Sequence, residues 1–139
     1  MSASRYALKA ADPPAKNSAT SNPLRIRNIR TQEALVRFAG DETRYRHWLW
    51  DFIGHGPLTV ASTREAIESG DFETAKRIVH AFNGRTSMLG MSELYALTAA
   101  LEMALHHGEP SAYWLADLEQ TVAATCDDLR QALAPSTKG

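Results

Sequence analysis

The sequence predicts an all-α protein, an antiparallel four-helix bundle with an accessory N-terminal helix, over residues 24–135. Three observations carry that expectation. Apolar residues recur at helical three- and four-residue spacings, and no segment alternates with the period of two that a half-buried strand needs. The strings Gly40-Asp41, Ser69-Gly70-Asp71 and Gly90-Met91-Ser92 punctuate the chain into pieces of helix length. A length of 139 residues with 44% apolar content fits one core. Amphipathic helices joined by short connections close as an antiparallel bundle, because each apolar stripe can be buried only against the others.

Residues 1–23 contain Pro13, Pro14 and Pro23 among Ala, Ser, Asn and Lys. With no sustained hydrophobic period they offer too little apolar surface to offset the entropy of ordering, so a disordered tail or linker is expected. A short helix follows from about Thr31, taken as its N-cap, to Ala39, with Leu35 and Phe38 on one side and Gly40 to end it. Asp41 suits the N-cap of a second helix whose apolar stripe is Tyr45, Trp48, Leu49, Phe52 and Ile53. Gly54, Gly56 and Pro57 interrupt it, while Val60, Ala61, Arg64 and Ile67 keep the rhythm beyond. Either a kinked helix or two helices in series is expected there. Gly70 is suited to a left-handed C-terminal position and Asp71 to capping the third helix.

After Gly90 the pattern restarts with Ser92 as N-cap, and Leu94, Leu97, Leu101, Ala104 and Leu105 form its stripe until Gly108 and Pro110. The last helix runs from about Ser111 to Ala134, burying Leu115, Leu118, Val122, Cys126, Leu129 and Leu133, and Pro135 stops it. Residues 136–139 are a polar tail.

Charge is nearly balanced, with 15 basic and 16 acidic residues, which argues against a nucleic-acid surface built on phosphate contacts. The single cysteine, Cys126, has no internal disulfide partner and is read as a helix-packing residue compatible with a reducing compartment. No apolar run approaches the roughly 18 residues that span a bilayer, and Lys9, Asp12 and Pro13 break any signal-peptide core. A cytoplasmic location follows as the expectation. Trp48, Trp50 and Trp114 are assigned to core or interface, which helical patterning does not separate.

The chemistry-bearing stretch is residues 71–90, DFETAKRIVHAFNGRTSMLG. At about 100° per residue, Ala75, Ile78, Val79, Phe82, Thr86 and Leu89 share the sector opposite His80 and form the buried face. Glu73, Lys76, Arg77, Asn83, Gly84 and Ser87 cluster within about 60° of the histidine. A mid-helix glycine costs about 1 kcal/mol relative to alanine, so Gly84 asks for a reason. Two readings stand open: a solvated histidine beside a tolerated glycine, or an imidazole with room left for something to approach it.

His80, Gly84, Leu89 and Gly90, followed at helical spacing by Leu94, Leu101 and Glu102, resemble the signature of the histidine phosphotransfer (HPt) domain family. The resemblance covers about residues 24–134 and is specific from 71 to 102. It implies a four-helix bundle with accessory N-terminal helices, and a phosphoryl group accepted reversibly on His80 from a receiver-domain aspartate. Imidazole is largely unprotonated near neutral pH and offers a nitrogen lone pair. The implied partners are a response-regulator receiver domain and a sensor kinase, with the chain itself a monomer. The implied Mg2+ belongs to the receiver, and the chain needs no cofactor of its own.

By the same resemblance, Lys76, Arg77, Asn83, Gly84 and Ser87 contact the phosphoryl group or the receiver. One position departs from the pattern. The family usually carries lysine three residues after the histidine, where this chain has Asn83, which can hydrogen-bond but supplies no charge. Lys76, one turn before His80 with Arg77 beside it, is the candidate replacement; Arg85 lies about 140° round the helix. Asn83 is also the best support for a rival reading, a non-catalytic interaction module that binds a receiver without passing phosphate.

Other signals carry less. His106 and His107 adjoin, but neighbouring helix positions diverge by about 100° and do not converge on one metal ion, so capping of a helix C-terminus is the better reading. His47 and His55 lack a partner at ligand spacing. There is no GxxxxGKS/T loop, HExxH or GxSxG, so an ATP-using kinase is not expected within these residues. Excision from a hybrid sensor kinase and a free-standing protein both fit the Pro- and Ser-containing N-terminal linker.

Overall fold

The computed structural model describes residues 24–134; residues 1–23 and 135–139, and with them the two expected tails, lie outside it. Five helices follow in order: α1 (Thr31–Arg37), α2 (Glu42–Glu68), α3 (Phe72–Met88), α4 (Ser92–His106) and α5 (Ala112–Leu133). α2 and α4 each pack against both α3 and α5, which closes a four-helix ring, and α1 lies on α2. The expected architecture is therefore present.

The core is made where the stripes meet. Tyr45, Leu49, Phe52, Val79, Leu89, Leu94, Leu101, Leu118, Val122 and Leu129 are buried, and the rings of Phe52 and Phe82 stack with centroids 5.7 Å apart. Leu97, Trp48, Ile53 and Leu133 reach it only partly, Ile78, expected on the buried face, is half-buried at a surface hollow beside Asp51 and Leu58 of α2, and Trp50 is exposed. In the second half of α2 the buried positions are Val60, Thr63 and Ala66, and Ala61 faces out. Arg64 leaves the stripe to form a two-point ion pair with Glu119 of α5, both contacts at 2.6 Å. That hydrogen bonding holds the Glu119 carboxyl below the usual range.

Helix starts follow the expected logic at two sites of four. Asp41 and Asp71 occupy N-cap positions and accept from the backbone N–H of Arg44 and Thr74. Thr31 and Ser92 instead are first helical residues, behind Arg30 and Met91, which make no side-chain cap. The Thr31 hydroxyl donates to the Leu24 carbonyl at 2.6 Å, so it ties down the preceding chain rather than the helix end.

α2 is one helix of 27 residues that runs through Gly54, Gly56 and Pro57. An interior proline removes one backbone hydrogen bond, here to the carbonyl of Ile53, and crowds that carbonyl. Cys126 of α5 answers it: its Sγ lies 3.8 Å from the Ile53 oxygen. Burial pushes the Cys126 thiol up and keeps it a donor. Cys126→Ala should destabilise the bundle by about 1–3 kcal/mol, leaving a buried carbonyl unpaired and a small void. Cys126→Ser, which keeps a donor, should lose less in denaturant melts; equal or smaller loss in the alanine variant would show that the thiol contact contributes nothing.

The α3–α4 turn is clamped from the N-terminal segment. The backbone N–H of Arg30 donates to the Gly90 carbonyl at 2.8 Å. Arg37 Nη1 donates to Met88 O at 3.2 Å, and the buried Tyr45 hydroxyl to Leu89 O at 2.8 Å. These three donors satisfy carbonyls that a helix end leaves without partners. Gly90 itself sits at φ +80°, and a Cβ there would lie 2.7 Å from the Arg30 carbonyl oxygen. The Leu-Gly pair thus has a packing reason: Leu89 fills the core and Gly90 admits the backbone of residue 30.

Candidate functional site

α3 is fixed at both ends, which makes it a rigid carrier. At its start the Asp71 carboxylate accepts from the Thr74 N–H at 3.2 Å and the Thr74 hydroxyl at 2.8 Å. These bonds, the hydroxyl's first, lower the Asp71 pKa. Lys76 lowers that of Glu73 in the same way. The sign follows directly. A carboxyl whose folded pKa lies below its unfolded value, about 3.9 for Asp and 4.3 for Glu, contributes stability that is fully present above that value and is lost as pH falls through the folded one. Acid melts of the wild type should therefore show stability declining below about pH 4. Asp71→Asn should flatten that decline, and an unchanged pH profile would rule out the cap as a contributor.

His80 lies mid-way along α3 with 78% of its side chain exposed. Its Nδ1 is 2.7 Å from Oε2 of Glu102, a half-buried side chain on α4. Nε2 makes no hydrogen bond among the described residues. One turn on, Gly84 is exposed, and a Cβ built there would meet nothing within 4 Å. Packing within the chain therefore does not require glycine at this position.

The other residues singled out from the sequence divide. Lys76 and Arg77 both lie near His80, yet Lys76 Nζ is 2.7 Å from Glu73 Oε2 and Arg77 Nη2 donates to the Thr74 hydroxyl at 3.3 Å. Asn83 is half-buried, with its amide nitrogen donating to Tyr95 O at 3.0 Å and Thr98 Oγ1 at 2.8 Å. Its amide thus joins α3 to α4. Ser87 lies at the rim of a small hollow that also touches Arg30, Arg37 and Tyr95. Arg85 faces α2, 3.7 Å from Asp51 Oδ2 and over the Trp48 ring, in keeping with its angular distance from His80.

Sequence reasoning placed Glu102 in the pattern but did not see that it touches the imidazole. The two are 22 residues apart, and only the antiparallel register of α3 and α4 brings them together. Tyr95 and Met103, exposed on the same helix, were likewise not singled out. His106 and His107 meet edge to face, with centroids 5.4 Å apart. Among the described residues no group of three or more His, Cys, Asp or Glu could hold a metal ion, and no helix is long and apolar enough to cross a membrane.

The bundle thus presents an exposed imidazole, oriented by a carboxylate, beside an open glycine. The chain is a member of the Hpt domain family: the family model matches residues 47–134, more than half of its length. Its general role is accordingly phosphorelay histidine phosphotransfer, in which Hpt domains work with receiver domains and kinases. Neither the comparison with curated proteins nor that with solved structures gives a match.

Proposed function

We propose that the chain acts as a monomeric cytoplasmic phosphorelay intermediate. His80 takes a phosphoryl group from the aspartyl phosphate of a response-regulator receiver domain and passes it on reversibly, downstream of a sensor kinase. The observation that carries this reading is the 2.7 Å contact between His80 Nδ1 and Glu102. A carboxylate at that nitrogen favours the tautomer protonated on Nδ1 and leaves the lone pair on Nε2.

In the forward step that lone pair attacks phosphorus. The N–P bond forms as the P–O bond to the aspartate breaks, and the aspartate departs as a carboxylate with the bonding electrons. The ring becomes cationic, its Nδ1 proton stays between imidazole and Glu102, and the adjacent negative charge offsets it. Return transfer runs through the same bonds. Phosphoryl transfer is catalysed mainly by positioning and charge neutralisation, so a rigid helix and an oriented ring suffice here. The divalent cation is left to the receiver.

Asn83 then serves chiefly to hold α3 against α4, with Lys76, Arg77, Gly84 and Ser87 as the contact set around the phosphoryl group and the receiver. The pairing of Lys76 with Glu73 favours a second reading, in which the domain binds a receiver and passes no phosphate. Labelled phosphate offered on a panel of phosphorylated receivers separates the two. Acid-labile label on the wild type is expected; failure across a panel containing the cognate receiver, with binding retained, gives the second reading.

Glu102→Gln keeps the shape and removes the charge. It should slow transfer about tenfold or more, because the neutral amide can still accept from Nδ1–H but no longer offsets the positive charge the ring gains, with thermal stability little changed. A wild-type rate in that variant would remove Glu102 from the mechanism.

A further inference from the structure

We infer that Arg30 and Arg37 form the outer rim of the receiver-docking surface and select receivers that carry carboxylates at the matching edge of their own contact face, away from the phosphorylated aspartate. This rests on the phosphotransfer reading above. Ser87 lies seven residues beyond His80, so it is on the same face and about 10 Å further along α3. α4 runs beside it in the opposite direction, with Glu102 against His80 and Tyr95 against Asn83. Past Ser87 and Tyr95 this face meets α1, and the join is a hollow of about 110 Å³ bordered by Arg30, Glu33 and Arg37. That space admits one side-chain head and is well below the size of a small-molecule pocket.

A docked receiver covers it. A standard interface buries about 800 Å² on each partner, a disc about 16 Å in radius; a footprint centred on His80 extends to the end of α3, about 12–15 Å along the helix, where Arg37 meets the Met88 carbonyl and residue 30 meets that of Gly90. The Arg30 side chain is 64% exposed and, among the described residues, hydrogen-bonds Glu33 through Nη1, at 3.3 Å; Arg37 uses Nη1 for the Met88 carbonyl. Each guanidinium keeps further N–H donors in a fork that matches a carboxylate.

Charge points the same way. Residues 24–46 hold six arginines against three carboxylates, while residues 47–134 hold five cations against twelve carboxylates. The basic segment also falls outside the residues that match the Hpt family. Arg30 and Arg37, at the accessory helix on the edge of the contact face, are placed to discriminate between partners rather than to carry the chemistry at His80.

The test uses the full chain with Arg30→Glu and Arg37→Glu, singly and together, each checked by circular dichroism and melting. Arg30→Glu is the safer variant, because the clamp on Gly90 uses the backbone N–H of residue 30 and not its side chain. Labelling of His80 by phosphoramidate, a donor too small to need docking, should be unchanged. Transfer from the cognate phosphorylated receiver should fall about tenfold or more per variant at low salt, with most of the loss in the association rate, and the wild-type advantage should shrink as ionic strength rises. Receiver transfer at the wild-type rate in folded Arg30→Glu would overturn the inference. Self-association abolished by these variants with transfer unchanged would assign the face to a second copy and overturn it as well. A wild type that takes label from phosphoramidate but from no receiver would sink the phosphotransfer reading instead.

Discussion

His80→Gln should accept no phosphoryl group from any receiver, while its helicity and melting should stay close to wild type. Glutamine has no lone-pair nitrogen of imidazole type, because its amide nitrogen donates only. The change is structurally mild, since 78% of the His80 side chain is exposed and its one partner, Glu102, is on the rim of α4 with water available to replace the contact. Surface substitutions of this kind usually shift stability by no more than about 0.5 kcal/mol. The comparison reads acid-labile label on the two proteins side by side, with unfolding followed by circular dichroism. Acid-labile label retained on His80→Gln would move the acceptor elsewhere and end the assignment.

Gly84 should separate folding from transfer. Nothing in the chain lies within 4 Å of a Cβ at this position, so Gly84→Ala should stabilise α3 by up to about 1 kcal/mol through helix propensity alone. Gly84→Leu adds a branched side chain one turn from the imidazole, in the space through which a receiver must approach, while keeping most of that helix-propensity gain. Transfer from a receiver should drop by about 100-fold or more, equivalent to about 2.7 kcal/mol at the transition state. Phosphoramidate should still label His80 in the same variant. Parallel losses of receiver transfer and stability would show Gly84 to be a folding residue, and parallel losses with both donors would show a defect in the nucleophile and not in docking.

The two predictions use one geometric fact: a helix whose buried face is complete without its exposed one. Ala75, Val79, Phe82, Thr86 and Leu89 are all buried, so the His80 side of α3 can change without unpacking the core.

Much of this was legible before any coordinates. Helical spacing of apolar residues and the Gly70-Asp71 stop and start are local properties, set by 3.6-residue periodicity and by the chemistry of helix ends. They sufficed for the bundle, for the buried face of α3 and for the exposure of His80 and Gly84. Contacts between residues far apart in the chain were not legible. Glu102 reaches His80, Cys126 reaches the Ile53 carbonyl, and Arg37 and Tyr45 hold the end of α3 only because helices distant in sequence settle in a particular register. Asn83 shows the difference most sharply: its type and angle place it beside His80, but its amide has turned to Tyr95 and Thr98 on the neighbouring helix. Periodicity determines which face a residue occupies; which partner it meets on that face is decided by how neighbouring helices are packed, and that packing is a property of the whole core.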